Sequence, residues 1–80
     1  MYYVYVLGCE ERHYIGFTSD LKKRFAQHND GRNTSTKGRT WTLLYYEAYQ
    51  SESAVRERER VLKRHGRTKQ ALLKRLQQND

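Results

Sequence analysis

The sequence predicts an α+β fold, a mostly antiparallel sheet flanked by helices, in the element order β-β-α-β-α-α. Three observations carry this. Strand-forming Tyr, Val, Ile, Phe and Trp concentrate at 2–7, 13–17 and 41–49. Apolar residues recur at helical spacing in 21–28, 55–62 and 72–76. The 80 residues contain no proline, repeat or linker-like stretch, so a single domain over 1–80 is expected.

Tyr2 to Leu7 is rich in Tyr and Val and reads as the first strand. Gly8 to Arg12 is polar, begins with glycine and reads as a turn. His13 to Phe17 returns as the second strand, and the hairpin brings Tyr5 close to Tyr14. Gly16 within that strand signals a bulge or a close backbone approach. Thr18, Ser19 and Asp20 offer N-caps for a helix, and Asp20 also suits its positive end. Leu21, Phe25 and His28 trace one face of that helix. Asn29-Asp30-Gly31 ends it, with Gly31 expected in the left-handed region.

Gly31 to Thr40 is a polar loop that suits a substrate-facing segment or a disordered tip. Trp41 to Tyr49 forms the third strand. Ser51 caps the second helix, with Glu52 in its first turn and Gly66 marking its end. Thr68 caps a third helix, whose apolar stripe is Leu72, Leu73 and Leu76.

A chain this short buries only about 60% of its unfolded surface, so the core is small and no deep cofactor cavity is expected. Sixteen Lys and Arg against nine Asp and Glu give a net charge of +7. That excess points to a polyanionic partner, nucleic acid foremost, although a merely soluble basic protein fits the charge equally well. No apolar run approaches the roughly 20 residues of a membrane-spanning helix. The N-terminus lacks the charged region and cleavage site of a signal peptide. A lone Cys9 cannot form an internal disulfide, so a reducing, cytoplasmic setting is expected.

Glu59 shares a helical face with Val55 and Leu62. A carboxylate on an apolar stripe is costly unless it is paired or binds a metal. Arg56 and Lys63 are both within helical reach as salt-bridge partners. Arg24 and His28 are neighbours on the first helix, where a surface charge and a helix-end residue are the ordinary reading. Strand tyrosines usually pack a sheet face, which is the expectation for Tyr2, Tyr45 and Tyr46. Glu47 reads as a second acid or a surface ion pair, and Trp41 as a base-stacking or core residue. Cys9 and the three histidines lack zinc-ligand spacing, and no phosphate-cradling glycine loop or Ser-His-Asp arrangement is evident.

Taken together, Tyr3-Val4-Tyr5, Tyr14-Ile15-Gly16, the stretch from Asp20 through Arg24 to His28-Asn29, and Arg58-Glu59-Arg60-Val61-Leu62-Lys63 resemble the GIY-YIG nuclease superfamily. The likeness is to its small single-domain members and covers nearly the whole chain. It implies a three-stranded antiparallel sheet packed with helices. It also implies a catalytic set of Tyr5, Tyr14, Arg24, His28 and Glu59. Glu59 would bind one divalent cation, Mg²⁺ or Mn²⁺. Glu57 competes for that register, but Lys63 four residues after Glu59 favours Glu59.

Arg24 would contact the scissile phosphate, for which a planar, permanently charged fork is suited. His28 would hydrogen-bond a catalytic tyrosine or assist proton transfer. Tyr14 would activate water with Tyr5 as helper. A free phenol titrates near 10, and a cation with Arg24 and His28 would lower it. The chain departs from the family pattern in two places. Tyr3 stands where the family name has glycine, and the helix from Lys69 to Leu76 has no asparagine, Gln70 being its nearest amide.

The expected function is metal-dependent hydrolysis of DNA phosphodiesters, structure-selective or weakly sequence-specific, in repair or recombination; the chemistry admits RNA as well. The alternatives are a nucleic-acid-binding module with little or no catalysis, and an interaction domain of a larger DNA-processing complex. Arg32, Lys37 and Arg39 in the loop, with Lys63 and Arg67 beyond it, are expected to grip phosphates. Arg56, Arg60, Arg64 and Lys69 add to that basic region without sharing one face.

Overall fold

The computed structural model describes residues 1–30 and 38–77. Its elements are β1 (Tyr2–Cys9), β2 (Arg12–Thr18), α1 (Leu21–Asn29), β3 (Thr42–Tyr49), α2 (Glu52–Arg64) and α3 (Gly66–Gln77). The three strands form one antiparallel sheet in the order β2-β1-β3. Fold class and element order are as the sequence predicts. No helix among the described residues is long and apolar enough to cross a membrane.

β1 is the central strand, and its run Val4–Leu7 is buried on both sides. Side chains alternate across a strand, so this run supplies two cores. Tyr5 and Leu7 pack with Trp41, Tyr14, Leu21, Phe25 and Leu43, on the side covered by α1. Val4 and Val6 pack with Ile15, Val55, Leu62 and Leu72, on the side covered by α2 and α3. Each fully buried Val or Leu stabilises the fold by about 1.5–3 kcal/mol relative to exposure.

The local signals work where a side chain satisfies a helix end. Asp20 Oδ1 accepts from the Lys23 amide at 3.1 Å and caps α1. Ser51 Oγ accepts from the Ala54 amide at 3.1 Å and caps α2. Asn29 ties the end of α1 to the start of β3. Its Oδ1 accepts from the Trp41 amide at 2.6 Å and its Nδ2 donates to the Trp41 carbonyl at 3.1 Å. This clamp seats Trp41 in the core, 5% exposed.

Two expectations need correction. The hairpin turn is shorter than Gly8 to Arg12: the strands pair out to Cys9 and Arg12, and Glu10 takes the left-handed φ of 57°. Gly66 does not close α2. The break falls at His65 (φ −100°, ψ 93°), and Gly66 already begins α3. Thr68 is therefore inside α3, its amide donating to the His65 carbonyl at 3.0 Å. Tyr2 and Tyr45 pack against the core, and Tyr46, although 53% exposed, packs on its sheet face edge-on to Tyr3, as expected of strand tyrosines. Gly31 lies outside the described residues.

Candidate active site

The site starts from a glycine. Tyr5 on β1 lies directly opposite Gly16 on β2. A Cβ at Gly16 would stand 2.7 Å from Tyr5 Oη, 2.9 Å from its Cζ and 3.0 Å from Tyr14 Cε1. Only a hydrogen there lets the Tyr5 ring lie across β2 towards Tyr14. The close approach expected at Gly16 is thus made by two phenol rings. The β1–β2 register runs unbroken past it, and the irregularity falls between β1 and β3 at Val6/Leu7.

His28, near the end of α1, closes the group. Its Nε2 and Tyr5 Oη share a hydrogen bond of 2.7 Å, and each residue is only 1% exposed. The Tyr14 ring centroid lies 4.7 Å from that of His28 and 6.3 Å from that of Tyr5. Burial pushes the Tyr5 phenol up to about 12; a hydrogen bond from Arg24 opposes this, while the nearby Tyr14 and Glu59 add to it. His28 is held below the usual imidazole range by burial and then by the Arg24 charge. Near neutral pH the pair is therefore an uncharged phenol and an uncharged imidazole.

Glu59 comes from α2, on the other side of the sheet from α1. Its charge is nevertheless felt at Tyr5, so it stands at the same end of the molecule as the phenols. Lys63 Nζ lies 3.6 Å from Glu59 Oε2 and also 5.9 Å from the Tyr14 ring centroid, so the acid and this phenol both neighbour one ammonium. The other foreseen partner, Arg56, is taken by Glu52 at 3.7 Å. Glu57, the competing register, is exposed and paired with Arg60. Of these acids, Glu59 is the one gathered with Tyr5, Tyr14, Arg24 and His28.

Among the described residues no group of three or more His, Cys, Asp or Glu is placed to enclose a metal. A lone carboxylate still fits Mg²⁺, which keeps several waters and is held by one or two carboxylates plus substrate phosphate oxygens. The side chain of Glu59 is 20% exposed, so it is reachable from solvent, and its oxygen donors suit a hard cation.

Tyr14 opens onto two basic hollows. One, of about 280 Å³, is lined by Arg12, His13, Tyr14, Arg39 and Trp41. The other, of about 240 Å³, is lined by His13, Tyr14, Ile15, Lys63 and Lys69. Arg39 and Lys63 thus stand beside Tyr14. Arg67 does not: it lines a separate cavity with Arg58 and Arg75. Arg32 and Lys37 lie outside the described residues. Sequence reasoning passed over Arg12 and His13. Their signal was position on an edge strand next to Tyr14, where side chains of either face can border one opening.

Glu47, the possible second acid, belongs elsewhere. Its two oxygens accept from Arg58 at 2.8 and 2.9 Å, from Tyr45 Oη at 2.7 Å and from Tyr49 Oη at 2.5 Å. Burial would raise its pKa, but these hydrogen bonds hold it down to about 2. It is an ion pair, as one of its two readings had it, and a half-buried one.

The family model described as the GIY-YIG catalytic domain matches residues 1–76. UPF0213 proteins of Streptococcus pyogenes serotypes M5, M2 and M28 are each 41% identical to the chain over 73 residues, covering 88% of this chain and 79% of theirs. No solved structure matches the chain.

Proposed function

The chain belongs to the GIY-YIG nuclease superfamily, and on that premise we propose that it is a metal-dependent endonuclease hydrolysing phosphodiester bonds in DNA. Its substrates are selected by shape or weakly by sequence, in repair or recombination. The observation that carries this reading is the surroundings of one side chain. Tyr5 is hydrogen-bonded to His28 and lies within electrostatic reach of Arg24, Tyr14 and Glu59.

In this reading Arg24 holds the scissile phosphate and offsets the charge that develops on it. Glu59 holds one Mg²⁺ or Mn²⁺, which when bound supplies Lewis-acid polarisation of the phosphate. Tyr14 orients the attacking water and takes its proton as its own phenolic proton passes to His28. His28, neutral near pH 7, can accept from one partner and donate to another, and so assists that transfer. Tyr5 is only 1% exposed, so its part is to position His28 and Tyr14, not to touch the phosphate. Arg39 and Lys63 grip flanking phosphates.

One contact favours a second reading. Lys63 already partners Glu59 at 3.6 Å, and an acid kept permanently neutralised would leave a module that binds without cutting. A nicking assay on flapped DNA separates the two. Cleavage that requires Mn²⁺ and falls at least 100-fold in Glu59→Ala and Arg24→Ala, with melting temperatures preserved, supports catalysis. Binding without metal-dependent nicking supports the second reading.

A further inference from the structure

On the flank of α2 away from Tyr14 lies a cavity of about 480 Å³ lined by Arg58, Arg67, Thr68, Ala71, Leu72 and Arg75. We propose that this cavity binds backbone phosphate of a second arm of a branched DNA, while the first arm lies at Tyr14. This deepens the nuclease reading and rests on its nucleic-acid substrate.

Three of the six lining residues are arginines and none is acidic. Arg58 is neutralised by Glu47, whose oxygens are engaged by Arg58, Tyr45 and Tyr49. The positive charge of Arg67 and Arg75 is left facing the cavity. Along α3 these two stand with Ala71 on a ridge of spacing four, which separates them by about 12 Å along the axis. The small Ala71 between them leaves the floor low.

Arg75 is also held in place: its Nη2 donates to Tyr45 Oη at 3.3 Å, and its guanidinium lies 5.6 Å from the Tyr45 ring centroid. A planar guanidinium fork held in place, in a cavity that Arg67 and Thr68 also line, suits phosphate oxygens.

The placement argues for a second arm. Arg58 reaches to Glu47 on β3, whereas Glu59 and Lys63 turn towards Tyr14 on β2. β1 lies between those strands, so the two regions are separated by about 10 Å of sheet plus the side chains on each edge. A linear duplex seated at Tyr14 runs past one edge, and a branched one presents backbone to both.

The test measures binding alone, in EDTA, by fluorescence anisotropy at several salt concentrations. It compares a flapped duplex with a linear duplex of the same sequence. The double variant Arg67→Gln/Arg75→Gln is expected to weaken flap binding at least tenfold and to reduce its salt slope by about two. Linear-duplex affinity should stay within twofold, and Arg67→Lys/Arg75→Lys should restore part of the slope. Equal weakening on both substrates, or none on either, overturns the proposal. So does a result in which inorganic phosphate shifts the Arg67 and Arg75 side-chain NMR signals but the double variant keeps its flap preference, which would assign the cavity to a free anion. Unchanged melting temperatures show that the variants fold. No metal or cleavage enters, so this outcome is separable from that of Glu59→Ala nicking.

Discussion

Two polar clusters sit beside α2, each containing one glutamate, two tyrosines and an arginine, and they are organised in opposite ways. At β3, Glu47 receives Arg58, Tyr45 and Tyr49 on both of its oxygens, and the group is complete without a ligand. At β2, Glu59 has Lys63 at 3.6 Å, longer than a hydrogen bond, while Tyr5 pairs with His28 and Tyr14 borders two solvent-facing hollows. The same residue types therefore give a brace in one place and a receptive surface in the other. What separates them is whether the acid's lone pairs are already filled.

That contrast breaks most visibly in cleavage. Arg24→Ala and Tyr14→Phe are expected to lower Mn²⁺-dependent nicking by about 10²–10⁴-fold with little change in melting temperature. Tyr45→Phe, the matching change in the closed cluster, should leave the rate per folded molecule intact. Equal rate losses at both tyrosines would end the distinction.

The next effect is on stability and runs the other way. Glu47→Gln leaves the Arg58 guanidinium half-buried without its counter-charge and should cost about 2–3 kcal/mol, read by urea denaturation, with nicking preserved. Gly16→Ala sharpens the account further. Its methyl group would collide with Tyr5 and Tyr14, so it should cost about 1–3 kcal/mol and lower nicking by up to about 100-fold. A stable, fully active Gly16→Ala protein would remove the glycine from the site.

The smallest effect is in pH. His28 binds its proton less readily when folded, so below the unfolded value of about 6.5 the unfolded chain takes up more protons. Stability is fully present above that value and declines as pH falls through it. His13 is lowered in the same direction, by burial and then by Lys69. Melting curves between pH 7.5 and 5 should show the decline, and His28→Gln should flatten part of it.

Much of this was legible in the sequence, for identifiable reasons. Strand and helix boundaries follow from Tyr and Val density, from Leu21, Phe25 and His28 sharing a face, and from caps such as Ser51. These are local signals that a linear reading captures. Gly66 misled because glycine is ambiguous at a junction where His65 alone breaks the helix and the next one starts at once. The long-range features were not local at all. That Tyr46 stays exposed, that Arg58 reaches Glu47, and that Gly16 makes room for a phenol from the neighbouring strand all depend on register and on which strand lies at an edge. Glu59 was set apart from Glu57 by the helical face it shares with Val55 and Leu62, and its catalytic part came only through a family likeness. Its place near Tyr5 is a property of three dimensions.

The most direct measurement uses Mn²⁺ as a paramagnetic probe on protein labelled with ¹³C at the tyrosine rings. Selective broadening of the Tyr14 and Tyr5 signals is expected, abolished by Glu59→Gln, with Tyr45 and Tyr49 unaffected. Broadening centred on Tyr45 and Tyr49, or unchanged by Glu59→Gln, would contradict it.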